Sequence, residues 1–194
     1  MGKKSMLTKI LLVLAVLVLV LVGVVALRPS EFRVTRTGMV PGSPSISFAQ
    51  VNDFHKWDAW SPWARIDQGM KQTYEGSPSG KGAIYTWSGN SQVGQGRMEI
   101  VESRSNEVIR IDLQFLKPFP GNCPTEFTFI PQGGDTQVTW TMSGRHTFVP
   151  KAVSLFLSMD QMIGKQFEQG LAQLRDVCEG AARNGAAALP AKSP

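Results

Sequence analysis

The strongest constraint on the fold is a change of hydrophobic period along residues 72–179. Six short segments first alternate apolar and polar residues, and Gly, Pro, Asn or Asp bound each one, as expected of half-buried strands. These segments are Gln72–Gly76, Ala83–Ser88, Gln95–Glu102, Glu107–Phe115, Thr125–Ile130 and Thr136–Ser143. From about Lys151 to Glu179 the apolar residues recur instead at intervals of three and four, which predicts one long amphipathic helix.

The sheet and the long helix each have an apolar face that requires a partner. In the fourth segment Ile109 and Ile111 alternate with Arg110, so one face of the sheet is apolar and the other is polar. A strand at Phe32–Arg36 and a short helix over residues 46–54 precede these segments. We therefore predict an α+β fold in which a curved antiparallel sheet of about six to seven strands wraps around a C-terminal helix.

The N-terminal segment Ile10–Leu27 contains no charged or polar side chain. As a helix it is about 27 Å long, close to the roughly 30 Å of a bilayer's hydrocarbon core. This length favours an uncleaved transmembrane anchor over a cleaved signal peptide, whose apolar stretch is about 7–15 residues. Lys3, Lys4 and Lys9 precede the segment, so the positive-inside rule predicts a cytoplasmic N-terminus and a domain on the periplasmic side.

The remaining chain is predicted to form one domain. Residues 1–9 are the cytoplasmic N-terminus, 10–27 the anchor, 31–180 the folded domain and 181–194 a disordered tail rich in small residues. Removing the three N-terminal lysines from the net charge of +5 leaves +2. No basic stripe with interleaved aromatic residues is present, so nucleic acid is not an expected partner.

Several short motifs occur in an order that is specific to one superfamily. They are W-D-A-W-S-P-W at Trp57–Trp63, G-x-G at Gly80–Gly82 and Gly94–Gly96, V-T-W-x-M at Val138–Met142, and F-x-x-G-L-x-x-L at Phe167–Leu174. With the order of strands and helices, they make residues 31–180 resemble the START-like superfamily in its membrane-anchored bacterial branch. This superfamily is also called Bet v 1-like or SRPBCC, and it includes the polyketide cyclase/dehydrase and lipid transport proteins.

The resemblance implies a helix-grip fold with a hydrophobic cavity between the sheet and the long helix. Its known members bind sterols, phospholipids, polyketides or plant hormones, so the expected partner is a lipid or another hydrophobic small molecule, and no cofactor is expected. The residues expected to line the cavity are Tyr85, Trp87, Met98, Ile109, Ile111, Leu113, Phe127, Phe129, Trp140, Met142, Phe156, Met159, Ile163 and Phe167. A core filled by the same side chains is the alternative, since apolar residues on one face of a sheet fit both.

The segment around Trp57, Trp60 and Trp63 also has two interpretations. These tryptophans either plug one end of the sheet as core residues, or form the rim of the cavity or a membrane-facing aromatic patch. Cys123 and Cys178 likewise either form a disulfide in an oxidising compartment or remain two buried thiols. The cysteines and histidines lack the spacing of metal ligands, so no metal is expected.

A minority of the superfamily catalyse cyclisation or dehydration, so the second hypothesis is a cyclase/dehydrase-like or hydrolase-like enzyme that uses the same cavity. Its acid–base candidates are His146, His55 and Asp58, although a single histidine in a loop is usually solvated. The chain has no G-x-S-x-G motif that would indicate a serine nucleophile. A packed protein-interaction domain of the cell envelope is the third hypothesis.

Overall fold

The computed structural model describes residues 2–145, 148–153 and 158–187. Helix α1 (Gly2–Leu27) is followed, after three residues, by strand β1 (Glu31–Val40) and helix α2 (Pro44–Val51). Two 3₁₀ turns, Phe54–Ala59 and Pro62–Arg65, then precede the remaining strands. Those strands are β2 (Lys71–Gly76), β3 (Ala83–Ser88), β4 (Gln95–Arg104), β5 (Val108–Lys117), β6 (Gly121–Asn122), β7 (Thr125–Gln132) and β8 (Asp135–Arg145). Helices α3 (Phe148–Val153) and α4 (Met159–Ala187) follow them.

The strands form one antiparallel sheet in the order β1-β8-β7-β5-β4-β3-β2, and β6 pairs with β5 outside this path. The predicted α+β fold with a C-terminal helix on a single sheet is therefore confirmed. Every predicted strand is present, and the two-residue β6 brings the total among the described residues to eight. A register shift between Ile100 and Glu102 bends the middle of the sheet, because a bulged strand is locally longer than its partner.

Helix α4 lies on the concave face of the sheet and follows β1 in the same direction. A Cβ built on Gly38 would lie 3.3 Å from the side chain of Leu171, so the helix approaches the strand closely there. Near the start of α4, the guanidinium of Arg36 reaches across to Asp160 at 2.9 Å and to Glu168 at 2.6 Å. These two carboxylates account for the inward-pointing arginine on an otherwise apolar face.

The prediction of a single helix over Lys151–Glu179 is wrong in two respects: the helix is interrupted before Met159, and it continues beyond Glu179. The structure has two helices there, and the hydroxyl of Ser158, which precedes α4, accepts a hydrogen bond from the backbone N–H of Gln161. A serine in that position satisfies a free N–H of the first helical turn and favours a new start. At the other end α4 passes through Gly180 to Ala187, because this alanine-rich stretch has high helix propensity. Residues 181–187 of the predicted tail are therefore helical, and residues 188–194 lie outside the described part.

Candidate functional site

The two ends of the sheet can be told apart by the strand register. Pairs of residues at the ends of neighbouring strands mark the end of the sheet where β1 begins. We call this end the tether end. Its pairs are Glu31 with Arg145, Gln95 with Lys117, Ser88 with Gln95, and Lys71 with Ser88. The opposite end, where β1 finishes at Val40 and β7 turns into β8, is called the far end.

Burial on the concave face decreases from the far end to the tether end. At the far end Val40, Ile109 and Val138 are each 0% exposed. Towards the tether end, Trp87 and Leu113 are each 9% exposed. Phe32, Tyr85 and Phe115 are only partly buried there. The concave face is therefore covered less completely at the tether end, where Val34 and Met142 remain buried but Phe32 and Phe115 are only partly buried.

The centre of the concave face is filled by an aromatic cluster, which we define as Trp57, Trp60, Trp63, Phe127, Trp140 and Phe167. Trp140 of β8 stacks on Phe167 of α4 with ring centroids 4.0 Å apart, so the cluster joins the sheet to the helix. The indoles of Trp57 and Trp60 donate to the carbonyls of Val51 and Gln50 at 2.9 and 3.3 Å. Both rings are buried between the sheet and α4 and do not reach the surface, whereas Trp63 is half-buried beside them.

The indole N–H of Trp140 has no hydrogen-bond partner among the described residues. The side chain is only 3% exposed, so water does not reach it freely. A buried tryptophan N–H usually has an acceptor, and leaving one unpaired costs about 1–3 kcal/mol. Sequence reasoning did not find this feature, because the environment of an indole depends on the packing of four separate elements around it.

The residues expected to line a cavity come together on one surface. Those from the sheet all lie on its concave face, and Ile163 and Phe167 face them from α4. Phe156 lies outside the described residues, and Met159 is described by its backbone alone. Phe32, Trp63, Met70 and Phe115 also pack against this core. Sequence alternation places Phe32 and Phe115 on the apolar face of their strands, but Trp63 and Met70 lie in segments without a strand or helix period.

The two tyrosines of this region are neutral phenols. Burial is the main cause that raises the pKa of both Tyr74 and Tyr85; the charge of Asp58 adds to it for Tyr74, and the neighbouring Tyr74 and then Asp58 add to it for Tyr85. The hydroxyl of Tyr74 donates to Gln72 Oε1 at 2.9 Å, which places polar atoms at the edge of the concave face.

Of the three acid–base candidates, the structure describes His55 and Asp58, and both are exposed rather than buried in the concave face. His55 is exposed, stacks on Tyr74 with centroids 4.1 Å apart and has Nδ1 3.0 Å from Asp53 Oδ1. Asp58 is exposed and accepts a hydrogen bond from Gln72 at 3.3 Å, and His146 lies outside the described residues. A surface cleft of about 110 Å³ adjoins His55 and Tyr74. This volume is well below the roughly 300–1,000 Å³ of ordinary ligand pockets.

Both cysteines are free and buried, so the disulfide alternative is not formed. Burial raises the pKa of each thiol to about 11. Cys123 lies at the tether end, where a Cβ on Gly144 would be 3.0 Å from its sulfur. Cys178 lies beyond Leu171 in α4, towards the far end. Within the described ranges, no three His, Cys, Asp or Glu side chains are grouped so that they would hold a metal ion.

Comparison with known proteins agrees with this architecture. The family described as polyketide cyclase / dehydrase and lipid transport matches residues 31–179, whereas no curated protein matches the chain. The structure is similar to protein CV1439 from Chromobacterium violaceum, with 16% identity, 78% of this chain and 99% of that chain covered, and a TM-score of 0.54. It is also similar to SA2116 from Staphylococcus aureus, a protein of unknown function, with 11% identity, coverage of 79% and 96%, and a TM-score of 0.57. Ara h 8.0201 matches with 11% identity, coverage of 77% and 99%, and a TM-score of 0.54.

These solved structures define the class of protein as one with the START-like, or Bet v 1-like, fold. The family match extends over the whole folded domain, from β1 into α4. The chain therefore belongs to the polyketide cyclase / dehydrase and lipid transport family, whose description supports a hydrophobic ligand-binding domain.

Proposed function

We propose that the protein is a membrane-anchored module that binds or carries an apolar molecule, such as a lipid or a polyketide-like compound, against the concave face of its sheet. The observation that carries this proposal is the decrease in burial towards the tether end. Phe32, Tyr85 and Phe115 are large side chains that a packed core would cover more completely, yet each is only partly buried. A ligand that covers them removes apolar area from water at about 25 cal/mol per Å².

The anchor is the second part of the proposal. Helix α1 contains a candidate membrane span, Thr8–Leu27, with a mean hydropathy of 3.5. Its side chains from Ile10 to Val24 are almost all exposed, as expected of a helix that faces lipid rather than a protein core. The lysines before the span favour a cytoplasmic N-terminus, which would leave the ligand-binding domain on the periplasmic side.

Native mass spectrometry of residues 28–194, with organic extraction of copurifying molecules, tests the ligand. This part keeps the core cluster as far as the structure describes it, because the described side chains of α1, including the buried Val25, lie outside that cluster. We expect a discrete added mass that extraction identifies as an apolar compound. A spectrum of the bare polypeptide that stays unchanged after addition of phospholipid would contradict the proposal.

A matched pair of variants places the ligand on the protein. Met98→Trp adds bulk on the concave face near Tyr85 and Leu113, whereas Ile130→Trp adds the same bulk to a convex-face side chain that is 51% exposed. We expect the first variant to lose the added mass and the second to keep it. Equal retention by both variants would show that the ligand lies elsewhere.

The enzyme hypothesis has less support. Among the described residues, no histidine or carboxylate of strands β1 to β8 is buried in the concave face. General acid–base catalysis needs such a group within hydrogen-bond reach of the substrate. Ligand binding is therefore the function that the geometry favours.

A further inference from the structure

We propose that the tether end of the domain docks on the bilayer surface, with Phe119 inserted among the lipids, so that the loosely covered end of the ligand site faces the membrane. This inference rests on the proposed membrane anchor. The short tether alone limits the distance between the domain and the bilayer but leaves the orientation open. The strand register and the contacts of α1 supply the orientation.

The register places three loops at the end where the anchor enters the domain. These are the loop before β2 (residues 66–70), the β3–β4 loop (89–94) and the β5–β6 loop (118–120). The first two are joined by a hydrogen bond from the backbone N–H of Asn90 to Asp67 Oδ2 at 2.7 Å. The second and third are in close contact, since a Cβ on Gly94 would lie 2.3 Å from the carbonyl oxygen of Lys117. The loops therefore form one continuous surface.

This surface carries exposed apolar side chains. Phe119, between two prolines, is 53% exposed, and it is the one exposed Phe, Tyr or Trp among the described side chains. Leu116 and Ile66, from two of the neighbouring segments, are 50% and 37% exposed. In α3, which contacts the end of α1 through Lys151, Val153 is 46% exposed. A protruding aromatic side chain with aliphatic neighbours suits the interfacial region of a bilayer.

The last turn of α1 is attached to the domain. Lys151 of α3 donates to the carbonyl of Ala26 at 3.0 Å, and Val25 is only 1% exposed although it belongs to the apolar helix. The three residues between Leu27 and β1 span about 10 Å at most. The tether end is thus held beside the point where the chain leaves the membrane.

The charges around this surface favour an anionic bilayer. Arg28, Lys71, Lys117 and Lys151 lie at or next to the tether end. The carboxylates nearby are engaged: Glu31 pairs with Arg145 at 2.7 Å, and Asp67 accepts the hydrogen bond from Asn90. Clusters of basic residues close to a membrane are attracted to anionic headgroups. The partner of the tether end is therefore a lipid surface that contains anionic phospholipid. A ligand would pass between that surface and the concave face.

Site-directed spin labelling of the full chain tests this orientation. Single cysteines replace Phe119, Ile130 and Val18, and each nitroxide-labelled protein is reconstituted in vesicles of phosphatidylcholine and phosphatidylglycerol. The wild-type chain treated with the same reagent reports any labelling of the buried Cys123 and Cys178. Ile130 is the matched control, because it is as exposed as Phe119 but lies on the convex face towards the far end. The nitroxide side chain is itself apolar, so it substitutes for Phe119 without adding charge.

The measurement compares how often the nitroxide collides with two relaxation agents. Oxygen partitions into lipid, whereas a nickel chelate stays in water. We expect the label at 119 to be several-fold less accessible to nickel than the label at 130, and more accessible to oxygen. Labels at 18 in lipid and at 119 in water would overturn the docking and leave the anchor intact. A label at 18 that is open to nickel would overturn the anchor and the docking with it. Neither result affects the separate ligand test.

Discussion

Trp140 and Trp60 form a matched pair for measuring the effect of an unpartnered N–H in this core. Both indoles belong to the aromatic cluster, with centroids 5.7 Å apart, and they are 3% and 0% exposed. Trp60 donates to the Gln50 carbonyl at 3.3 Å, whereas Trp140 Nε1 has no partner within the described part of the chain. Replacing each by phenylalanine removes the same ring atoms and the same N–H, so the comparison isolates the hydrogen-bonding state.

The two replacements have opposite effects on polar groups. Trp60→Phe removes a hydrogen bond with a net value of about 1 kcal/mol. Trp140→Phe removes a buried unpaired donor and so relieves a desolvation penalty of about 1–3 kcal/mol. We therefore expect Trp60→Phe to lower the free energy of unfolding by about 2–4 kcal/mol more than Trp140→Phe does.

Urea denaturation of residues 28–194, followed by far-ultraviolet circular dichroism, measures this difference. The protein is first freed of ligand by unfolding and refolding, because a ligand that accepts from Trp140 Nε1 would hide the effect. If the free energy of unfolding falls with urea at the same slope in both variants, a difference between their midpoints reports a difference in stability. A Trp140→Phe variant that is destabilised as much as Trp60→Phe would refute the reasoning.

Two further predictions concern local packing and ionisation. A Cβ on Gly96 would lie 2.2 Å from the Trp87 ring, whereas one on Gly121 would have no neighbour within 4 Å. In thermal or urea unfolding, Gly96→Ala should therefore cost about 1–3 kcal/mol and Gly121→Ala should change little, and equal effects would contradict this packing. Burial raises the pKa of Cys123 and Cys178 to about 11, and because unfolded thiols ionise near pH 8.5, stability should fall as the pH rises from about 9 to 11. Replacing both cysteines by alanine should remove that part of the pH dependence, and a double variant with an unchanged pH profile would contradict it.

Local sequence patterns predicted most of the fold because one face of the sheet is exposed to solvent and the other is buried. Alternation of Ile109 and Ile111 with Arg110 is a local signal, and it also determines which side of the strand meets the helix. The break before α4 was missed because the apolar intervals continue across Ser158, whose capping hydroxyl is a weaker signal than the period. The end at Glu179 was misplaced because Gly180 resembles a terminator, although the alanines after it favour helix.

The candidate site was predictable in composition but not in arrangement. The alternation identified which strand residues face inward, such as Trp87 and Leu113. It did not reveal that Trp57 and Trp60 fill the centre, since their segment has no strand or helix period. Nor did it place the Phe119 loop at the same end of the sheet as the start of β1, because that placement depends on the long-range pairing of β1 with β8 and of β4 with β5.

The most direct test of the account is whether an apolar ligand contacts the concave face. In residues 28–194 with ¹³C-methyl methionine, Met98 and Met142 report on that face, and Met39, which is 43% exposed on the convex side, is the control. Addition of a doxyl-labelled fatty acid broadens the methyl signals of methionines close to its nitroxide. The account predicts selective broadening of Met98, with Met39 unaffected at the same concentration. Equal broadening of all three methionines, or broadening of Met39 alone, would contradict the proposed ligand site.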